Sequence, residues 1–324
     1  MPDEMLYLSS ADVARVDLPI TEVIEAVKSA FVEKGKGGTE MPPKPGIHPV
    51  PDAFIHAMPA YIGGLGAAGM KWVSGYPENR KRGLPYISGL LVLNDPDTGL
   101  PICVMDAVWI TAKRTAAATA LAATHMALPE SKVFGILGCG VQGRTNLEAL
   151  QAVMNSLETV RAFDIDRATA GKYAADMKLA FGMDIQVVDS PRMAVEGSDI
   201  VVTAGPILKN PRPSIEAGWL KSGGFACPID FDSYWTIGAM RAIDKFCTDD
   251  VDQLRYYQTL GYFSSVPDVY ADLSDVIAGK KPGRESAEER TMSMNLGIAI
   301  EDMATAVRIL ERAKKKGIGT WLPL

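Results

Sequence analysis

The chain has 324 residues, which is enough for two domains of ordinary size. Its 47% hydrophobic and 22% charged residues are typical of a packed globular protein and exclude extensive disorder. The formal net charge of -6 argues against a nucleic-acid partner, because phosphate recognition needs a basic face.

The cysteines and the first residues of the chain bear on its location. The 4 cysteines are widely spaced without a CxxC pair, which predicts reduced core thiols rather than a metal site or disulfides. The first thirty residues mix charged and apolar side chains, unlike a signal peptide, and no apolar run is long enough to span a membrane. We therefore expect a cytoplasmic protein with no membrane partner and no metal.

The first third of the chain predicts helical and extended segments. Apolar residues recur at helical spacing over 9–35, behind two serines, which predicts a capped amphipathic helical region. The proline-rich run at 41–51 must be extended, because successive prolines exclude a helix. Residues 53–109 predict several strands, with a hairpin connection at 95–99, and the alanine-rich residues 111–127 predict a long helix.

After Pro129 the pattern changes to strands that alternate with helices. Residues 133–137 form a short apolar run that leads into a glycine turn and a predicted helix through Val153. A last helix is predicted at 298–315. This alternation predicts an α/β fold, a Rossmann-type doubly wound parallel sheet with helices on both faces. The further predicted strands are 159–163, 185–188, 200–203, 224–227 and 245–247.

Gly138, Gly140 and Gly143 form a GxGxxG motif between the predicted strand 133–137 and a predicted helix. In that context glycine allows a tight turn, a close backbone approach to a pyrophosphate and close packing of helix on strand. The helix N-terminus then offers N–H groups and a positive dipole to the phosphates. The motif therefore predicts a dinucleotide site.

Asp164 lies 21 residues after Gly143, at the end of a predicted strand. A carboxylate there accepts hydrogen bonds from the ribose hydroxyls of NAD and repels the 2′-phosphate of NADP. Arg161 and Arg167 are close in sequence, so NAD is favoured as the cofactor while NADP stays open.

Several short segments outside the glycine loop are informative together. They are Met-Pro-Pro-Lys at 41–44, Ala-Met-Pro-Ala-Tyr at 57–61, Gly-Met-Lys-Trp-Val-Ser at 69–74, Gly-Leu-Pro at 83–85, Thr-Ala-Lys-Arg-Thr-Ala-Ala at 111–117, Asn-Leu-Gly at 295–297 and Glu-Asp at 301–302. With these segments the chain resembles the ornithine cyclodeaminase/mu-crystallin family of NAD(P)-dependent proteins over nearly its whole length. The resemblance implies a split α+β domain for substrate binding and dimerisation, residues 1–125 with 300–324, a Rossmann domain at 126–299, and a homodimer.

The resemblance also implies site residues. Lys71 and Asp232 resemble the catalytic lysine and aspartate of the family, and Arg114 resembles the arginine that clamps the substrate carboxylate. Lys44 resembles a second carboxylate-binding cation, with an offset of one residue. The other implied substrate contacts are His56 and Leu296, and the implied cofactor contacts are Tyr86, Arg114, Thr115, Gly138, Gly140, Val141, Gln142, Gly143, Asp164, Thr203, Ala226, Cys227, Pro228, Ile229 and Asn295.

Elementary chemistry supports these roles but leaves alternatives. The planar fork of an arginine grips a carboxylate with two hydrogen bonds. A lysine near Arg114 would have its pKa lowered by like charge and desolvation. Lys71 lies in an apolar run, and a lysine is rarely buried unless it has a specific role there. Arg114 could instead lie on the surface of an alanine-rich helix. Either Asp230 or Asp232 could merely cap a turn.

Three functions stay open from the sequence. The first is an NAD(P)-dependent oxidoreductase, an amino acid dehydrogenase or imine reductase, that moves hydride between the Cα of an amino acid or imino acid and the nicotinamide. The second is a cyclodeaminase-type lyase that releases ammonia, and the third is a non-enzymatic, crystallin-like carrier of a small ligand. His56 stands where ornithine cyclodeaminases have a glutamate. Tyr234 and Trp235 follow Asp232 where the family has small residues and a lysine, so the substrate itself stays open.

Overall fold

The structure, a computed structural model, describes residues 4–263 and 266–324. The strands are β1 (Glu4–Leu8), β2 (Thr39–Glu40), β3 (Gly46–Ile47), β4 (Phe54–Ile62), β5 (Ala67–Gly75), β6 (Ile87–Asn94), β7 (Pro101–Asp106), β8 (Val133–Leu137), β9 (Thr159–Phe163), β10 (Asp184–Val187), β11 (Ile200–Thr203), β12 (Phe225–Pro228), β13 (Lys245–Thr248), β14 (Ala271–Asp272), β15 (Thr291–Met294) and β16 (Thr320–Pro323). The helices are α1 (Ser10–Val16), α2 (Ile20–Lys36), α3 (Val108–Met126), α4 (Val141–Val153), α5 (Arg167–Phe181), α6 (Pro191–Val195), α7 (Ile237–Arg241), α8 (Val251–Thr259), α9 (Leu273–Ile277) and α10 (Ala299–Lys316). The chain forms two compact units, Met1–Arg114 with Ile298–Leu324, and Thr115–Gly297.

The first unit is built on a mixed sheet with strand order β16-β1-β7-β6-β5-β4-β2, and β3 pairs with β4. Of the pairs that form this sheet, β1 with β7 is parallel and the others are antiparallel. Helix α10 packs on β4, β5 and α2. Because side chains alternate along a strand, Lys71 and Val73 of β5 are buried while Trp72 between them is exposed on the opposite face.

Residues 9–35, expected as one helical region, form two helices, so that expectation was wrong in this respect. Helix α1 ends at Val16, its C-cap Asp17 has a left-handed φ of 50°, and α2 begins after Pro19. Ser9 caps α1 through a reciprocal pair of hydrogen bonds with Asp12. Apolar residues continue at helical spacing on both sides of the break, and this hid the break in the sequence.

The second unit contains a sheet with strand order β10-β9-β8-β11-β12-β15-β13-β14, and every pair in it is parallel. The strand order reverses between β8 and β11, which is the point where doubly wound sheets bind their ligands. Strand β15 was not expected from the sequence, although it lies between β12 and β13. Its four residues are all buried, so neither alternation nor length marked it as a strand.

Two further expectations concern the whole chain. No helix within residues 4–263 and 266–324 combines the length and the apolar character that crossing a bilayer requires. The four cysteines, Cys103, Cys139, Cys227 and Cys247, are free thiols, and all of them are buried. The expectation that these cysteines lie in the core is therefore confirmed.

Candidate active site

The first unit contains a fully buried lysine with polar partners. Lys71 lies in the middle of β5, and none of its side chain is exposed. Its Nζ donates a hydrogen bond to Oδ1 of Asp302, at 2.7 Å, and another to Oγ1 of Thr111, at 3.3 Å. An ammonium group leaves water only when other polar groups replace its hydration, and here a carboxylate of α10 and a hydroxyl of α3 do so.

Arg114 of α3 joins the same network. Its Nη1 lies 2.6 Å from Oε2 of Glu301, and its Nε lies 3.0 Å from Oδ1 of Asp302. Both carboxylates are fully buried in the first turn of α10. Asp302 therefore bridges Lys71 and Arg114. Since only 5% of Arg114 is exposed, the alternative of a surface arginine is wrong.

The surroundings of Lys71 change its acidity. Burial lowers the pKa of Lys71 to about 7, with the charge of Arg114 as the next cause, while the bonded carboxylate of Asp302 opposes the shift. This is the direction expected for a lysine held near Arg114. A group with a pKa near 7 exists in both protonation states at neutral pH, so it can donate and accept protons.

His56 and Lys44 are also buried in the first unit, with 6% and 7% of their surface exposed. The His56 ring stacks on Phe54 with centroids 4.3 Å apart, and a Cβ added to Gly46 would lie 2.2 Å from its Cδ2 atom. Burial, followed by the charge of Lys44, lowers the pKa of His56 to about 2. His56 is therefore a neutral imidazole whose orientation is fixed on two sides.

The glycine loop of the second unit has the geometry that a dinucleotide needs. Gly138 has a φ of 101°, and a Cβ added to it would lie 2.5 Å from the carbonyl oxygen of Ala204. A Cβ added to Gly143 would lie 2.4 Å from the carbonyl oxygen of Gly138. Val141 and Gln142 begin α4, and its N-cap Gly140 has no side chain to fill the loop. The backbone N–H groups at this helix end are thus suited to a pyrophosphate.

Asp164 stands beside this loop at the end of β9. Its Oδ2 accepts a hydrogen bond from the N–H of Cys139, at 2.8 Å, and its Oδ1 accepts one from the N–H of Asp166, at 3.0 Å. These two bonds hold the carboxylate against the loop, at the place where a ribose of a bound dinucleotide is recognised.

The two arginines that left NADP open have other partners. The guanidinium of Arg161 donates to the carbonyl oxygen of Glu196, and the guanidinium of Arg167 pairs with Asp189. A 2′-phosphate next to Asp164 would therefore compete with existing contacts for either cation. This arrangement favours NAD over NADP.

Two aspartates follow β12 and differ in their surroundings. Asp230 is fully buried and accepts hydrogen bonds from Oγ1 of Thr203, at 2.6 Å, and from the N–H of Gly205, at 2.7 Å. Burial raises the pKa of Asp230 to about 7, against the effect of these hydrogen bonds. Asp232 is half-buried, and burial raises its pKa as well. Between them Phe231 has a left-handed φ of 63°, which is costly for an aromatic residue.

Asn295 follows β15 at the same sheet edge and offers a direct test of whether a cofactor fits. Its N–H donates to the carbonyl oxygen of Pro228, at 3.0 Å, and its Oδ1 accepts from Oγ of Ser293, at 2.7 Å. Within the described part of the chain, its buried Nδ2 has no hydrogen-bond partner. Such an orphaned donor costs about 1–3 kcal/mol. An acceptor on a bound ligand, such as the carboxamide oxygen of a nicotinamide, would satisfy it.

Three of the predicted cofactor positions lie on strand β12, and a fourth follows it. Ala226 and Cys227 are fully buried in the strand, so their side chains belong to the core of the second unit. Pro228 ends the strand, and the half-buried Ile229 follows it. The carboxyl end of β12 thus leaves Pro228 and Ile229 as the two positions nearest to the ligand-binding edge.

Three other predicted contacts are Leu296, Thr115 and Tyr86. Leu296 is 5% exposed and packs in the core of the second unit. Thr115 is the first residue of that unit, and its carbonyl oxygen accepts a hydrogen bond from Oγ1 of Thr119. Tyr86 belongs to the first unit, where the guanidinium of Arg80 lies 5.8 Å from its ring centroid. The ligand contacts assigned to these residues stay predictions.

Sequence reasoning gave no role to Glu301 and Asp302. Acidic residues in the first turn of a helix are common, because the helix dipole favours them there. A signal for Asp302 was nevertheless present, since Ala306, Ile309 and Ala313 follow it at helical spacing on the buried face of α10. An acidic residue in line with an apolar face is expected to be buried and paired.

The second unit has the glycine loop and the aspartate, Asp164, that are typical of a Rossmann-type dinucleotide-binding domain. The first unit contributes a buried lysine and a buried arginine, and both sets of residues are typical of a dinucleotide-dependent enzyme. The family model described as "Ornithine cyclodeaminase/mu-crystallin family" matches residues 4–317. The chain is 37% identical to the nodulation efficiency protein NfeD of Rhizobium meliloti over 316 residues, which are 97% of either chain.

Two solved structures are similar over almost the whole chain. One is the Delta(1)-pyrroline-2-carboxylate reductase of Thermococcus litoralis in complex with NADH and L-proline, with a TM-score of 0.88, 34% identity and coverage of 98% of this chain and 99% of that one. The other is an archaeal alanine dehydrogenase dimer with bound NAD, with a TM-score of 0.88, 32% identity and 99% coverage of both chains.

The chain belongs to the ornithine cyclodeaminase/mu-crystallin family. The family and the α/β Rossmann fold expected from the sequence are confirmed. The expectation of an enzyme of the nicotinamide-dependent class is confirmed in the same way, because the two similar structures are a reductase with NADH and a dehydrogenase with NAD.

The buried ion pair leads to a prediction about stability. Asp302→Asn removes the carboxylate shared by Lys71 and Arg114, so we expect the free energy of unfolding in urea to fall by about 3–5 kcal/mol. The control is Glu158→Gln, which breaks the exposed pair with Lys132 and should leave the unfolding curve nearly unchanged.

The loss caused by Asp302→Asn should also depend on pH. Lys71 titrates near pH 7 in the folded protein and near 10.4 when unfolded, so in this interval the unfolded chain binds more protons and the group adds stability as pH rises. Loss of the Asp302 carboxylate lowers the pKa of Lys71 in the folded protein further. The pH range over which stability rises then begins at a lower pH. Its destabilisation should therefore be larger at pH 6 than at pH 9, and an equal loss at both values would contradict the pairing.

Proposed function

We propose that this chain is an NAD-dependent oxidoreductase that transfers hydride between the Cα of an α-amino acid, or its imine, and the nicotinamide. The observation that carries the proposal is the buried Lys71, whose pKa of about 7 beside Arg114 suits a group that moves protons at a substrate. The relatives support the substrate class, because one is named an alanine dehydrogenase and another was solved with NADH and L-proline.

The buried cations of the first unit support a carboxylate ligand. Lys44 and Arg114 are buried there, together with Lys71, which is also a cation when it is protonated. These groups would attract a carboxylate, and every α-amino acid carries one. We assign its binding to Arg114 and Lys44, since guanidinium and ammonium groups make charge-assisted hydrogen bonds to carboxylates.

The proton movements of the reaction fall to Lys71 and Asp232. When bound, the nicotinamide supplies the hydride acceptor for amino-acid oxidation and the hydride donor for imine reduction. Oxidation at Cα also releases a proton from the amine, and Lys71 in its neutral form can accept it. We assign Asp232 as the second proton-transfer group, because it is half-buried and its pKa is raised.

Contacts for the cofactor come from the second unit. The glycine loop and the first turn of α4 would hold the pyrophosphate, and Asp164 would bind a ribose. Asn295 would donate its Nδ2 to the nicotinamide carboxamide. NAD is favoured over NADP, because Arg161 and Arg167 are already bonded elsewhere.

A turnover assay tests the proposal. Absorbance at 340 nm should change when the protein is mixed with NAD(H) and one of these candidate substrates: alanine, proline, pyrroline-2-carboxylate, or pyruvate with ammonia. With NADP(H) as the cofactor the rate should be lower. Lys71→Met should lower kcat/KM by about 10²- to 10⁴-fold, whereas Lys132→Met on the surface should not change it. Ammonia release without net NADH formation would instead indicate a cyclodeaminase, and no turnover of any kind would leave only a carrier.

His56 argues for a substrate without a second ammonium group. A diamino acid needs an anionic partner for its distal amine, but His56 is neutral and lies near the positive charge of Lys44. Its ring is also held in place by Phe54 and Gly46, so it is not free to turn away. We therefore propose a monoamino acid or its imine as the substrate, rather than ornithine.

A substitution at His56 should change this selectivity. His56→Glu places a carboxylate at this position, so ornithine should bind about tenfold more tightly, which corresponds to roughly 1.4 kcal/mol. The KM of the monoamino substrate should rise in the same variant. The control His48→Glu adds the same charge at a nearby exposed position and should do neither. Unchanged ornithine binding in His56→Glu would show that His56 does not set selectivity.

The open face of the first unit's sheet supports a homodimer. Strand pairing aligns Pro59, Met70, Val92, Val104 and Tyr7 in one apolar row across five strands on the face opposite Lys71. Trp72 and Leu90 pair directly beside this row, with 45% and 48% of their surface exposed. A contiguous apolar face of this kind is typical of a subunit interface, and the similar archaeal alanine dehydrogenase is described as a dimer.

Charge placed on this face should separate the subunits. The double substitution Trp72→Glu and Leu90→Glu is expected to convert the dimer to a monomer in light scattering coupled to gel filtration. Leu179→Glu changes a residue of α5 with 90% of its surface exposed, and it should leave the dimer intact. A dimer that survives the double substitution would rule out this face.

The cysteines support the cytoplasmic location expected from the sequence. All four are free and buried, and burial raises the pKa of Cys103, Cys139 and Cys247 to about 12. Unreactive reduced thiols are the usual state of cysteines in a reducing compartment.

A further inference from the structure

Tyr234 lies against the backbone of Gly205, two residues beyond the end of β11. A Cβ added to Gly205 would lie 2.6 Å from Cε2 of Tyr234 and 3.0 Å from its hydroxyl oxygen. The phenol ring therefore occupies the space that a side chain at position 205 would need. The two residues form one surface at the carboxyl end of the strand.

Gly205 in turn borders the glycine loop. A Cβ added to Gly138 would lie 2.5 Å from the carbonyl oxygen of Ala204 and 3.3 Å from the nitrogen of Gly205. These residues follow β8 and β11, the neighbouring strands between which the strand order reverses. A dinucleotide crosses a doubly wound sheet at this point. Tyr234 is thus placed beside the path of the cofactor.

The segment that carries Tyr234 is anchored on both sides. Before it, Asp230 accepts the N–H of Gly205, and after it Trp235 is 1% exposed in the core. The carbonyl oxygen of Tyr234 itself accepts the N–H groups of Ser214 and Ile215, at 2.9 Å and 2.8 Å. The ring is therefore held over Gly205 rather than lying there by chance.

The hydroxyl of Tyr234 is suited to donate a hydrogen bond. Burial raises the pKa of Tyr234, and the carboxylates of Asp230 and Asp164 raise it further, so the phenol stays protonated over the physiological range. The side chain is only partly buried, so a ligand can reach it.

We propose that Tyr234 is a cofactor-binding residue, whose hydroxyl donates a hydrogen bond to an oxygen of the pyrophosphate or of the ribose next to the nicotinamide. This inference rests on the proposed function, because it requires that the second unit binds NAD(H). It also explains why residue 205 is glycine: the ring and the cofactor both need the surface of its backbone.

Calorimetric titration of the full-length protein with NADH tests this inference without any substrate. Tyr234→Phe keeps the ring and removes the hydroxyl, and its Kd should rise about tenfold, as expected for one lost hydrogen bond. Tyr234→Ala should weaken binding further. The control is Tyr256→Phe, a half-buried tyrosine of α8, whose Kd should stay within about twofold of that of the parent. Thermal unfolding of each variant checks that it is folded.

Smaller ligands identify the oxygen that is bound. If Tyr234 contacts the pyrophosphate, Tyr234→Phe should weaken ADP and ADP-ribose alike and leave AMP unchanged. If it contacts the second ribose, only ADP-ribose and NADH should weaken. Either pattern supports the proposal.

Two results would overturn it. Equal NADH affinity of the parent and both Tyr234 variants, or tighter binding by Tyr234→Ala, would exclude a binding role while leaving the proposed function intact. Failure of the parent protein itself to bind NADH or NADPH would overturn the proposed function, and this inference with it.

Discussion

The burial of an amine at the centre of β5 is the constraint on which the first unit depends. Lys71 and Arg114 come from the N-terminal part of the chain, but the carboxylates that balance them, Glu301 and Asp302, belong to the last helix. Asp302 lies 231 residues from Lys71 in sequence. The first unit must therefore include both ends of the chain, because without α10 it would bury two cations with no counter-charge.

The second unit depends on a different constraint, which is close backbone approach at the edge of a parallel sheet. Gly138, Gly143 and Gly205 each lie where a Cβ would collide with neighbouring atoms. The loops after β8 and β11 can therefore pack tightly against each other. Side chains with fixed hydrogen bonds, Asp164 and Asp230, then surround this edge. In the proposed chemistry, the buried cations of the first unit select a carboxylate by charge. The closely packed glycine loops of the second unit select a dinucleotide by shape.

The sequence predicted well whatever is encoded locally. The glycine motif, Asp164 and the strands around them are defined by neighbours within a few residues, and the apolar run around Lys71 already indicated that this lysine is buried. Contacts between distant segments were not predictable in this way. The pairing of Asp302 with Lys71, the insertion of β15 between β12 and β13, and the packing of Tyr234 on Gly205 each depend on tertiary structure. The break between α1 and α2 was missed because apolar periodicity continues through it.

The ionisation of Lys71 is the most direct measure of the central claim. Lysine side chains labelled with ¹³C at Cε can be titrated by NMR in the parent protein, and the Lys71→Met spectrum identifies the resonance of Lys71. One resonance should titrate near pH 7, well below the others, and it should be missing from the variant. If every lysine titrated near pH 10.4, the value of an exposed lysine, Lys71 would not be the buried proton-transfer group described here.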